Sequence, residues 1–126
     1  MKFLISYIWV ILWTIIVCVV LLLPAQNFGG IPIFAGIDKM FHMGIFYGQA
    51  TLLYLGIILY SDRKANKWLS ILKVMIACSI FAVATEYAQM YLTNSRSADP
   101  WDIFADVVGV SMATFTFVLI YKREKR

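Results

Sequence analysis

Charge is scarce in this chain. Only 14% of its 126 residues are Asp, Glu, Lys or Arg, and none lies between Lys2 and Asp38. A soluble domain of this size needs a charged surface. A chain that is 62% hydrophobic, with a mean hydropathy of +0.80, belongs to the membrane class instead. Histidine occurs once and cysteine twice. Cys18 and Cys78 fall in different apolar segments, offset by roughly 10 Å at ~1.5 Å rise per residue, which argues against a disulfide. Both read as small apolar fillers. The chain carries no HExxH or CxxC, no Ser nucleophile elbow, no P-loop and no dinucleotide fingerprint. No such motif therefore assigns a reaction. No repeat or low-complexity tract divides the chain, which reads as a single domain over residues 1–126.

Four long apolar segments are present, at about 3–23, 40–60, 68–92 and 101–121. About 20 apolar residues span a bilayer's hydrocarbon. Within lipid the backbone satisfies its own polar groups only as helices or closed barrels. The expected fold is therefore all-α, an integral membrane bundle of four transmembrane helices. Pro24 stops the first segment. A cleaved signal peptide is its rival reading. The run is longer than a usual signal core, however, and Leu23-Pro24-Ala25-Gln26 is a poor cleavage site. Lys73 and Glu86 interrupt the third segment, and Asp102 and Asp106 enter the fourth. Tyr60, Trp68, Tyr91, Trp101 and Tyr121 fall at segment ends, where amphipathic aromatics prefer to sit. The connection over 24–37 is uncharged and Gly-rich; it reads as a plain outer loop, a re-entrant segment being the alternative.

Basic residues set the orientation. Lys2, Arg63, Lys64, Lys67, Lys122, Arg123, Lys125 and Arg126 share one side, eight against only Lys39 and Arg96 on the other. Lys73 lies one turn inside the third segment and can snorkel to the basic side. The positive-inside rule then places both termini in the cytoplasm. The net charge of +4 follows from this bias, with some attraction to anionic lipid. It calls for no nucleic-acid partner.

With that topology the remaining polarity collects at one face. Asp38 and His42 open the second helix, Glu86 and Gln89 close the third, Arg96 and Asp99 sit in the short loop, and Asp102 and Asp106 begin the fourth. Five of the seven acids and the one His are in this set. Ionisable groups in or near hydrocarbon are costly, so their convergence reads as a site. Asp38 and His42 are spaced i, i+4, Glu86 and Gln89 i, i+3, and Asp99, Asp102, Asp106 and Gly109 form one helical stripe. Gly44 with Gly48, and Ala105 with Gly109 and Ala113, are small-residue pairs that would let helices approach closely. Plainer readings stand beside this one. Asp38 could be an N-cap, and Asp99 or Asp102 could cap the fourth helix beside Pro100. Arg96 could pair with a lipid phosphate. Glu86 and Asp106 are the hardest to assign to structure alone.

The set suits several chemistries. His42, Glu86, Asp102 and Asp106 offer donors for a divalent cation, but no metal spacing supports one, and neither a metal nor a cofactor is assigned. Three carboxylates crowded at low dielectric cannot all stay ionised, so one is expected to hold a proton and serve acid–base work. Arg96 is suited to a phosphate or carboxylate.

The ordered set Asp38-Lys39-x-x-His42, Tyr47, Glu86-x-x-Gln89, Arg96, Asp102 and Gly109 resembles the VanZ-like family of small bacterial membrane proteins, named for a teicoplanin-resistance accessory protein. That family's pattern is Asp-Lys-x-x-His, then Glu-x-x-Gln, an Arg, and Asp-x-x-x-Asn-x-x-Gly. The match runs over about residues 37–112. Asp106 departs from it, standing where the family usually has Asn. It is either protonated in place of the amide or an extra charge. The resemblance implies a multi-pass protein of the bacterial cytoplasmic membrane, linked to glycopeptide or lipoglycopeptide resistance. The expected role is an outward polar cleft that binds or modifies a cell-envelope amphiphile. Its partners would be membrane lipid, a lipid-linked envelope precursor or a lipoglycopeptide. Ligand contacts are expected from Asp38, Lys39, His42, Tyr47, Glu86, Gln89, Arg96, Asp102 and Asp106. The alternative is a small membrane hydrolase or transferase, with Glu86, His42 and Asp102 as catalytic candidates and Glu86 as base. An ion or proton pathway is a weaker reading, because positions around Cys78 and Ala82 are apolar.

Overall fold

The computed structural model describes residues 1–22, 37–92 and 100–122. Their fold is all-helical: α1 (Lys2–Leu22), α2 (Ile37–Ser61), α3 (Lys67–Leu92) and α4 (Pro100–Ile120). Each is long and apolar enough to cross a membrane. The 21 residues of α1 measure about 31 Å at ~1.5 Å per residue, close to a ~30 Å hydrocarbon core. The expected segments match these helices. The largest difference is at α2, which begins at Ile37 rather than residue 40. Hydropathy marks where apolar residues begin, whereas the charged Asp38-Lys39 pair is already helical. The 23–36 connection, Arg96, Asp99 and the last four residues lie outside the described residues.

Large apolar side chains cover the outside, among them Ile5, Trp9, Ile16, Ile80, Phe115 and Ile120. The interior mixes apolar and polar groups. Its apolar part joins Phe46, Ala50 and Tyr54 of α2 with Val74, Cys78 and Ala82 of α3 and Val110, Ala113 and Phe117 of α4. Its polar part includes Gln49, Thr85, Glu86, Gln89, His42, Asp102 and Asp106. Apolarity therefore does not distinguish inside from outside here; small size and polarity do. Both cysteines are free thiols.

The helix α2 touches the other three, whereas α1 and α4 have no close backbone contact among the described residues and flank the α2–α3 pair. The closest approach is between α2 and α4. A Cβ on Gly109 would collide with the Met43 carbonyl oxygen and come within 3.0 Å of the Tyr47 backbone nitrogen. Ala105, Gly109 and Ala113 are all buried along this seam, as their spacing suggested. The expected Gly44–Gly48 pair is not a seam. Gly44 is exposed and has nothing within 4 Å of a Cβ built on it. Gly48 instead receives the Trp13 ring of α1, 2.9 Å from such a Cβ, and Gly56 receives Tyr7. Four-residue spacing names a helix face, but aromatic rings from α1 decide which glycines are used.

The α2–α3 turn lies at the basic end. Asp62 and Arg63 adopt left-handed φ values of 52° and 62°, and the Arg63 amide donates back to the Ile58 carbonyl at 3.1 Å, which closes α2. Asn66 Oδ1 accepts from the amides of Trp68 (3.0 Å) and Leu69 (3.2 Å), capping α3. Lys2 and Asp62 form an exposed pair at 2.7 Å.

Candidate functional site

The opposite end of the bundle is where ionisable side chains are buried. His42 lies in the second turn of α2, while Asp102 and Asp106 occupy successive turns of α4 on one face. The Gly109 contact draws that face against α2. His42 Nδ1 and Asp106 Oδ1 are 2.9 Å apart and share a hydrogen bond. His42 Nε2 faces Asp102 Oδ2 at 3.6 Å, an ion-pair rather than hydrogen-bond distance. Asp102 Oδ1 accepts from Lys39 Nζ at 2.6 Å. The result is a chain of alternating basic and acidic side chains, Lys39–Asp102–His42–Asp106. The imidazole is only 1% exposed, whereas the Lys39 side chain is 32% exposed. Lys39 is thus the member of the chain that reaches the surface.

Glu86 and Gln89 enter from α3, and both are buried. The Glu86 carboxylate is near enough to exert a Coulombic force on Asp106, as is that of Asp102. Gln89 Nε2 donates to the Leu21 carbonyl at 2.9 Å, tying α3 to the end of α1. Of the site residues expected from sequence, Lys39, His42, Asp102 and Asp106 make one cluster, with Glu86 beside it. Tyr47 is half-buried and packs against the hydrophobic core, while its backbone nitrogen meets α4. The side chain of Asp38 and the whole of Arg96 lie outside the described residues.

Burial gives the cluster its energetic weight. Removing one partner of a buried ion pair strands the other and costs ~3–5 kcal/mol. The low local dielectric also strengthens every charge–dipole contact with an incoming group. An imidazole held by one carboxylate and facing another is fixed in orientation, a requirement for proton transfer. A head group offering both donors and acceptors would find Lys39 and the carboxylates to match. Among the described residues, no three His, Cys, Asp or Glu side chains group as a metal site.

Two features escaped the sequence reading. Gln49 is buried in the middle of α2 and donates to Thr14 Oγ1 of α1 at 3.0 Å. A Gln within an apolar helix was its available signal. The second is a small cleft of about 10 Å³ between α3 and α4, room for roughly one water, lined by Asp106 and small α3 residues. It had no sequence signal, because a gap depends on what lies opposite.

No family model matches the chain, and no solved structure matches it. Over 87 residues it is 30% identical to an uncharacterized protein of Schizosaccharomyces pombe. The match takes in 68% of this chain and 49% of that protein, so the chain spans about half the length of the relative it matches. That relative's name states no activity.

Proposed function

We propose that the protein is a multi-pass membrane protein whose buried polar end binds or modifies the head group of a membrane amphiphile. The observation that carries this reading is the Lys39–Asp102–His42–Asp106 chain, with Glu86 beside it. Four apolar-coated helices, each long enough to cross a membrane, support the membrane part of this reading. The eight basic residues that the sequence assigns to the other side support cytoplasmic termini. In the VanZ-like reading the membrane is the bacterial cytoplasmic membrane, and the ligand is an envelope amphiphile whose handling alters teicoplanin-type susceptibility.

The test is a set of single substitutions, Glu86→Gln, Asp102→Asn and His42→Ala, at matched membrane abundance, scored for lipoglycopeptide susceptibility. All three are expected to shift it toward the empty-vector value. Wild-type behaviour in all three would reduce the cluster to a structural role. Placement is tested separately, with Arg96→Cys and Lys64→Cys exposed to a membrane-impermeant thiol reagent on intact cells. Only position 96 is expected to react.

A catalytic reading is favoured by one observation, the His42 ring held by Asp106 and facing Asp102. On that reading the site is a hydrolase or transferase acting on a lipid-linked substrate, with Glu86 as base. Purified protein turning over such a substrate, with Glu86→Gln inactive, would distinguish it from binding alone.

A further inference from the structure

Charge meets apolar surface outside the bundle as well as within it. Lys73 lies on α3, six residues and about 9 Å beyond the helix start at Lys67. It is exposed, as is Ala77, and so are the apolar side chains of Leu69, Ile76 and Ile80. Spaced three, four or seven residues from Lys73, these positions share one stripe of the helix. The surface that α3 turns to α4 includes Cys78 and Ala82. Ala82 is about two and a half turns from Lys73, on the opposite side of the helix. Lys73 therefore stands on the outer face, away from α4.

None of the ion pairs among the described residues includes Lys73. Asp62 is the one acid described at this end, and Lys2 holds it at 2.7 Å. Against it stand Lys2, Arg63, Lys64, Lys67, Lys73 and Lys122. An ammonium on a lipid-facing surface is costly unless it reaches polar surroundings. Helical side chains lean toward the helix N-terminus, so the Lys73 stem can run along α3 toward Asn66 and the basic end. In a bilayer this brings the charge to the depth of lipid head groups, with Ala77 and Ile80 below it at the depth of acyl chains. The protein offers no carboxylate on this stripe. A head group of net negative charge provides the counter-ion, and the surplus of basic side chains around it adds to the attraction.

We propose that the outer face of α3 holds one anionic phospholipid, with its phosphate on Lys73 Nζ and an acyl chain along Ala77 and Ile80. The site rests on the membrane part of the reading above and not on the head-group role of the bundle's opposite end.

The experiment uses the purified full chain in detergent micelles, titrated with phosphatidylglycerol or with phosphatidylcholine of the same chain length. Bound lipid is read as adducts by native mass spectrometry. The first phosphatidylglycerol is expected to bind about tenfold more tightly than phosphatidylcholine. Lys73→Gln should lose about fivefold of that preference, the scale of one lysine at a charged membrane surface. Lys73→Arg should keep it. Lys122→Gln removes the same charge from the end of α4, on the other side of α3, and should change the preference little. Glycerol phosphate carries the anion without the chains and should not compete. Equal affinity for the two lipids, or no adduct of either, would overturn the proposal. So would a preference that Lys73→Gln leaves unchanged, or one that Lys122→Gln reduces as much, since the attraction would then be diffuse. Competition by glycerol phosphate would overturn the assignment to a lipid. A Lys73-dependent preference alongside wild-type susceptibility of Glu86→Gln would uphold this site and remove only the head-group role.

Discussion

Each end of the bundle holds a Lys–Asp pair of nearly the same length, and the two pairs sit in opposite surroundings. Lys2–Asp62 measures 2.7 Å with side chains 54% and 65% exposed; Lys39–Asp102 measures 2.6 Å with side chains 32% and 7% exposed. At the basic end, water screens the charges, and the pair adds little to stability. At the other end Asp102 has given up water and depends on Lys39 and the facing His42 ring. The same two residue types thus make a surface decoration at one end and part of an interdependent network at the other. Distance alone would not separate them; burial does.

The largest expected effect is at His42. His42→Ala strands Asp106 in the interior and should cost ~3–5 kcal/mol, read as unfolding in detergent against denaturant. Lys2→Ala should leave the same curve almost unmoved. Equal effects would mean that the buried end is solvated in practice and that its chain of charges is not a unit.

A smaller effect sharpens the role of backbone approach at the polar end. Gly109→Ala puts a methyl against the Met43 carbonyl and should lower stability by about 1–3 kcal/mol. Gly44→Ala, one turn away on α2 in open space, should be neutral or slightly stabilising through helix propensity. If the two melt alike, the α2–α4 contact is looser than its geometry indicates.

The smallest effect belongs to the exposed pair. The hydrogen bond and charge of Lys2 hold the Asp62 carboxyl below its ordinary value of 3.8. A lowered folded-state value contributes stability above the unfolded carboxylate's value. That contribution fades as pH falls below about 4 through the folded value. Asp62→Asn should remove this small increment at neutral pH, leave acid stability unchanged, and lose its effect in high salt. A large pH effect from Asp62 would contradict its exposure.

Much of this architecture is legible in the sequence for one reason. Hydrocarbon demands length, so four apolar runs of about the right size mark four helices, and their alternation brings residues 39–42, 86–89 and 102–106 to a common end. Gly44 shows where legibility stops. Its spacing from Gly48 is correct for a seam, yet the Trp13 ring packs on Gly48 and leaves Gly44 outside. When every face of a helix is apolar, no periodicity reports its rotation.

The linear order of residues was sufficient to set the number of helices, their ends to within a few positions, and which charges share an end, because these depend on local composition and on the length of each apolar run. Three-dimensional packing alone decided that Asp106 takes His42 Nδ1, that Asp102 takes Lys39, that Gly109 rather than Gly44 lets helices touch, and that a gap opens beside Cys78 and Ala82. Those outcomes depend on how four nearly uniform cylinders turn about their axes. That rotation is set by steric fit and buried hydrogen bonds between segments far apart in the chain.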